Sequence, residues 1–196
     1  MQNEASVVVL LGSPRKKGNS TTLAKQIIHG AESSGAVVET VYLNGFTIKP
    51  CQGCYSCQKP DSSGCVVDDD MQTLYPKLQA ADTWVIASPV YWFSMSAQTK
   101  LFMDRCMALF NETGKKNHLL NKQVAIAMSY GDTDVFNSGC VNALRSFQDA
   151  YRYAGAKIVG MVYGSAEEPG EIESNTALMK QAEELGKKLV KEQLSI

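Results

Sequence analysis

The chain has 196 residues, 44% of them hydrophobic, and its 20 acidic and 19 basic side chains leave a net charge of −1. That length fits a single domain, 1–196, with enough chain to bury a core. The near-neutral balance excludes any charge-based case for nucleic acid or an anionic membrane as partner, and no apolar run reaches the length of a membrane span.

The start, Met1-Gln2-Asn3-Glu4, lacks the basic residues and long apolar stretch of a signal peptide, so the expected location is the cytoplasm. The first predicted strand is the apolar run Ser6 to Leu11. It stops at Gly12 and becomes the polar loop Ser13-Pro14-Arg15-Lys16-Lys17-Gly18-Asn19-Ser20-Thr21-Thr22. A helical pattern follows over Ser20 to Ser34, with Leu23, Ile27, Ile28 and Ala31 on one face. A strand, a tight loop and a helix N-terminus in succession aim backbone N–H groups and the positive end of the helix dipole at one spot. Ser13, Ser20 and Thr21 add hydroxyls, Asn19 an amide and Arg15 a charge, a donor set suited to a phosphate. The alternative is an ordinary βα loop whose hydroxyls cap the helix. The loop is not a Walker A motif: five residues separate Gly12 from Gly18, and Asn19 stands where that motif has Lys. The dinucleotide fingerprint G-x-G-x-x-G is absent as well.

A second strand is predicted over Val37 to Leu43. An excursion at about 48–70 then carries four of the six cysteines, Cys51, Cys54, Cys57 and Cys65, spaced C-x2-C-x2-C-x7-C. Two successive C-x2-C steps in one short run are typical of ferredoxin-type cluster loops, whereas structural zinc sites more often split their ligands into two separated pairs. An iron–sulfur cluster, zinc and cysteines without a metal all stay open. Asp68-Asp69-Asp70, ahead of Met71 and Leu74, reads as the cap and acidic first turn of a short helix.

The third strand, Trp84 to Ser88, runs into Pro89-Val90-Tyr91-Trp92-Phe93. Three consecutive aromatics in a loop suggest a ligand or partner that covers them, and a planar ring such as isoalloxazine suits such a surface; the other reading is that they pack under the next helix. That helix is predicted over Ser96 to Phe110. The fourth strand, Val124 to Ser129, leads into Ser129, Tyr130 and Gly131. A helix over Val141 to Tyr153, a fifth strand over Lys157 to Tyr163 and a last helix over Thr176 to Gln193 complete the chain. Gly30, Gly35 and Gly155 fall near predicted helix ends, where a left-handed cap is often needed. Cys106 and Cys140 read as buried small apolar residues. Alternating elements of this kind imply an α/β fold of three layers: a five-stranded parallel sheet, order 2-1-3-4-5, with helices on both faces and its ligand beyond the carboxyl ends of the strands.

The segment Gly12-Ser13-Pro14-Arg15…Gly18-Asn19-Ser20, together with Ser88-Pro89-Val90-Tyr91-Trp92, resembles the NADPH-dependent FMN reductase-like flavoproteins, which have a flavodoxin-like fold. The cysteine run resembles their iron–sulfur flavoprotein branch. The resemblance implies an FMN whose phosphate lies on Ser13, Arg15, Asn19, Ser20 and Thr21. Its ring would lie against Pro89, Val90, Tyr91, Trp92 and Phe93 and against Ser129, Tyr130 and Gly131. It further implies NAD(P)H as electron donor, a quinone, flavin, nitroaromatic or redox protein as acceptor, a 4Fe–4S cluster on Cys51, Cys54, Cys57 and Cys65, and a homodimer or homotetramer. The chemistry would be the flavin's, and no catalytic side chain is assigned. Two other classes remain: a non-enzymatic electron carrier, flavodoxin-like or cluster-relaying, and a regulatory module of the same fold without cofactor.

Overall fold

Strands buried on both faces build the sheet. In a computed structural model, which describes residues 4–110 and 117–191, β1 (Ser6–Leu11) sends Val7, Val9 and Leu11 to one face and Val8 and Leu10 to the other, all buried. β2 (Val37–Tyr42), β3 (Thr83–Tyr91), β5 (Gln123–Tyr130) and β6 (Lys157–Ser165) join it in the parallel order β2-β1-β3-β5-β6. On one face lie α1 (Asn19–Glu32) and α5 (Thr176–Lys191), through Leu23, Ile27, Ala182 and Leu185. On the other lie α2 (Met71–Ala80), α3 (Ala97–Arg105) and α4 (Cys140–Tyr153), through Leu74, Phe102 and Phe147. Trp84 anchors that second face, donating to the Leu78 carbonyl at 3.0 Å and meeting Phe102 and Tyr151 edge-on. This is the expected flavodoxin-like architecture.

The sheet carries one strand more than expected. The two-residue β4 (Ser94–Met95) folds back antiparallel on the end of β3, so the third predicted strand extends to Tyr91 and the aromatic segment is a hairpin rather than a loop. The predicted helix Ser96 to Phe110 is divided: α3 stops at Arg105 and a 3₁₀ turn, Cys106–Leu109, continues it. Glu192 and Gln193 of the predicted last helix lie outside the described residues, as do Met1, Gln2 and Asn3.

The glycine expectation needs one correction. Gly35 and Gly155 have the positive φ of helix caps, but Gly30 lies inside α1. A Cβ on Gly30 would stand 2.0 Å from the Glu183 carbonyl oxygen of α5, and one on Gly186 would stand 2.0 Å from that of Ile27. The two glycines let α1 and α5 cross backbone to backbone. Cys106 and Cys140 are buried as expected, and burial pushes both thiols up to about 12. Among the described residues no helix is long and apolar enough to cross a membrane.

Candidate functional site

Four connections leave the carboxyl ends of β1, β3, β5 and β6, and between them lies a cleft of about 270 Å³. Its lining brings together Ser13, Arg15, Asn19, Pro89, Val90, Tyr91, Ser129, Tyr130 and Gly131, nine residues singled out from sequence. Ala166, Glu167 and Pro169, from the connection after β6, form a wall that the sequence reading missed. Ser20 and Thr21 sit buried in the first turn of α1 beneath the cleft, and Trp92 and Phe93 project beside it.

The floor is the start of α1. Gly18 is its N-cap in extended conformation, with no side chain capping the helix and no acidic residue in the first turn. The amides of Asn19, Ser20 and Thr21 precede the first intrahelical bond and so have no helical carbonyl to donate to. Ser20 is 1% exposed and its hydroxyl has no hydrogen-bond partner. A buried hydroxyl without a partner costs on the order of 1–3 kcal/mol, so a missing acceptor at this spot is the physical implication. Ser13 closes the loop on itself, its Oγ accepting from the Arg15 amide at 3.1 Å and donating to the Arg15 carbonyl at 3.2 Å. Thr21 Oγ1 reaches the same carbonyl at 3.4 Å. Uncapped amides, a buried hydroxyl without a partner and the Arg15 guanidinium suit the phosphate of a mononucleotide.

Neighbouring elements hold this floor in place. Tyr42, at the end of β2, donates its hydroxyl to the Pro14 carbonyl, and Lys16 lies over the same ring. Ser96 Oγ, at the N-cap of α3, donates to the Gly12 carbonyl at 2.7 Å. A Cβ on Gly12 would stand 1.8 Å from Thr99 Oγ1, so only glycine lets the loop approach α3 this closely. The Asn19 side chain does not point into the cleft. It donates to the Glu168 carbonyl at 2.9 Å and accepts from the Gly170 amide at 2.9 Å. Glu171 closes that connection from within, its carboxylate accepting from the amides of Glu168 and Glu167, which hold it below its ordinary pKa.

Trp92 and Phe93 are the two central residues of the β3–β4 turn, with φ of 47° and 64°. Positive φ at both positions makes this a type I′ turn, normally occupied by Asn-Gly. Trp92 is 92% exposed and Phe93 55%. The turn is backed by Gly139, where a Cβ would stand 2.3 Å from Phe93 Cα, and by Asn142, which donates to the Phe93 carbonyl at 3.4 Å. Two aromatic side chains in left-handed conformation, held out into solvent, are of the kind that a ligand or partner covers.

A second cavity, of about 300 Å³, is lined by Cys51, Cys54, Cys57 and Cys65, with Met107, Val67 and Asp104 closing it. None of these cysteines is in a disulfide. Among the described residues no group of three His, Cys, Asp or Glu side chains converges on a single ion position; the four thiols surround a common space. Hydrogen bonds from Ser56 hold the Cys54 thiol below its ordinary value.

The acidic triplet does more than cap a helix. Asp70 is the N-cap of α2 but makes no side-chain cap bond to it, donating that role to its neighbour: Asp69 Oδ1 accepts from the Met71 amide at 3.0 Å. Asp69 also takes both ends of the Arg105 guanidinium, at 2.5 and 3.1 Å, in a fully buried pair. Burial alone would raise the Asp69 carboxyl; the hydrogen bonds from Arg105, Lys49 and Met71 outweigh it and leave the pKa lowered.

Comparison with known proteins adds the following. The family described as NADPH-dependent FMN reductase matches residues 5–169. The chain is 34% identical over 149 residues to the iron–sulfur flavoprotein of Methanosarcina thermophila, covering 76% of this chain and 74% of that one. It is 27% identical over 191 residues to an iron–sulfur flavoprotein of Methanocaldococcus jannaschii, covering 93% and 94%. In structure it resembles the NAD(P)H:quinone oxidoreductase of Methanothermobacter marburgensis, with a TM-score of 0.75 and 19% identity over 95% of this chain and 97% of that one.

Proposed function

This chain belongs to the NADPH-dependent FMN reductase family and is an FMN-dependent oxidoreductase, and on that premise we propose that its cleft seats FMN and passes electrons from NAD(P)H to a quinone, a flavin or another small acceptor. The observation that carries the reading is Ser20, a buried hydroxyl without a partner at an uncapped helix N-terminus. The amides of α1's first turn and the hydroxyls of Ser13, Ser20 and Thr21 take the phosphate, Arg15 supplies its counter-charge, and the Asn19 amide contributes through the backbone. Pro89, Val90 and Tyr91 border one side of the ring, with Ser129, Tyr130 and Gly131 at its polar edge. Trp92 and Phe93 offer aromatic faces to a planar acceptor arriving from solvent.

When bound, FMN supplies hydride and electron acceptance at its isoalloxazine ring. The chain orients it and keeps water from its buried side. No side chain in the cleft is needed as acid or base.

The cysteine cavity supports a second centre. Four free thiols around one space are the right donors for a 4Fe–4S cluster, and a relative 34% identical bears the name iron–sulfur flavoprotein. α3 spans the interval between the two sites, from Ser96 at the cleft to Arg105 at Cys65, about 14 Å at the helical rise. The exposed Trp92, at 92%, and Tyr55, at 69%, favour a homodimer or homotetramer assembled around these surfaces.

An absorption spectrum of protein purified without oxygen, recorded before and after NADPH and then after a quinone, tests the reading. Flavin bands that bleach with NADPH and return with quinone support it. Flavin bands that NADPH fails to bleach favour the electron carrier, which alone oxidises almost no NAD(P)H. A protein that stays colourless with added FMN overturns it.

A further inference from the structure

Two of the four cysteines that line the second cavity differ from the others in their surroundings. Arg105, 1% exposed, points Nη2 at Cys65 Sγ across 3.4 Å. Its geometry is fixed by the paired bonds to Asp69 and by a 2.8 Å bond from Nη1 to the Lys49 carbonyl. Tyr75 fixes the backbone of the same residue, donating its hydroxyl to the Arg105 carbonyl at 3.1 Å. At Cys57 the neighbour is Gln58, whose two Nε2 N–H groups are locked on the carbonyls of Met107 and Phe110 at 2.8 Å, so its 3.5 Å contact to the sulfur is the weaker branch of a three-centre bond. Both donors are tied to α3 or to the 3₁₀ turn that continues it, so the same structure positions Cys57 and Cys65. Cys51 and Cys54, by contrast, are exposed thiols of the excursion.

An ion pair as deeply buried as Arg105 with Asp69 is a weak source of stability, because desolvation offsets the attraction. Its presence calls for another reason, and the second Nη2–H, directed at Cys65 Sγ and shared with the Val67 carbonyl at 3.5 Å, supplies one. Donors to cluster sulfurs raise the reduction potential, and partners of metal ligands govern retention of the metal. Resting on the cluster reading above, we propose that Arg105 and Gln58 are positioning residues that orient Cys65 and Cys57 as ligands, slow loss of the bound cluster and raise its reduction potential.

Wild type and two variants are reconstituted anaerobically with iron and sulfide. Gln58→Leu removes one donor. Arg105→Met with Asp69→Leu removes the other and replaces the ion pair by apolar groups, a change that buried pairs often tolerate. FMN stoichiometry checks that each protein is folded. The readouts are the rate of iron loss to a chelator and the midpoint potential of the cluster, followed by its visible spectrum. Each variant is expected to keep its FMN, to lose iron about 10-fold faster or more, and to show a lower potential than wild type. Loaded variants that match wild type in both readouts overturn the proposal and leave the cluster reading standing. A wild type that takes up no iron overturns both. Should the double variant fail to hold FMN, Gln58→Leu alone decides.

Discussion

The side-chain amide of Asn19 donates to the backbone carbonyl of Glu168 at 2.9 Å and joins two loops 149 residues apart. The first residue of α1 is thereby the hinge pin of the cleft: its backbone forms part of the floor, where we propose the phosphate, and its side chain holds the opposite wall. Asn19→Ala strips partners from a buried carbonyl and from the Gly170 and Ile172 amides. We expect a loss of about 1–3 kcal/mol in urea unfolding, with weaker FMN binding and no change in the shape of the flavin spectrum.

Ser20 predicts a different pattern. Its hydroxyl has no partner within the protein, so Ser20→Ala leaves the stability of the flavin-free protein unchanged or slightly raised. Losing a hydrogen bond to a charged phosphate costs about 1.5–3 kcal/mol, which weakens FMN roughly 10- to 100-fold. Thermal unfolding of the apoprotein together with flavin fluorescence titration separates the two effects.

The β3–β4 turn stores conformational strain. Trp92→Asn with Phe93→Gly installs the residues a type I′ turn favours, and relief of two left-handed aromatic positions is worth on the order of 1 kcal/mol or more. Urea unfolding of the apoprotein is expected to show greater stability, while steady-state assays with a quinone show a raised KM.

The buried pair of Asp69 and Arg105 gives stability a pH signature. The folded carboxyl titrates below its ordinary value of 3.8, so its contribution is whole above that value and is lost as pH falls through the folded pKa. Asp69→Asn leaves a buried guanidinium without its counter-charge and is expected to cost about 3–5 kcal/mol at pH 7. The gap between wild type and variant narrows below about pH 4. Equilibrium unfolding at pH 7 and pH 3 checks the sign.

What the sequence disclosed follows from the range over which each signal acts. The loop that floors the cleft was legible because its polar residues fall in one short run, Ser13 to Thr21, and the strands because their apolar runs are local. The cleft residues on β3 and β5 followed from the rule that ligands lie beyond the carboxyl ends of parallel strands. The wall of Ala166, Glu167 and Pro169 was not legible: nothing in that segment marks it until Asn19 is seen to hold it. Arg105 reads as an ordinary helix residue, since its partner Asp69 lies 36 residues earlier. The β3–β4 hairpin was hidden because two aromatics occupy positions where turn residues are expected. Gly30 was misread as a cap because the approach of α5 is a tertiary fact.

The most direct measurement is a comparison of FMN and riboflavin binding to the apoprotein by fluorescence quenching. The two ligands differ only in the phosphate, which on our proposal sits at the start of α1. We predict that FMN binds with 1:1 stoichiometry and at least about 100-fold more tightly than riboflavin, as two charge-assisted hydrogen bonds to the phosphate would give. Equal affinity for the two would contradict the assignment of this cleft as the flavin phosphate site.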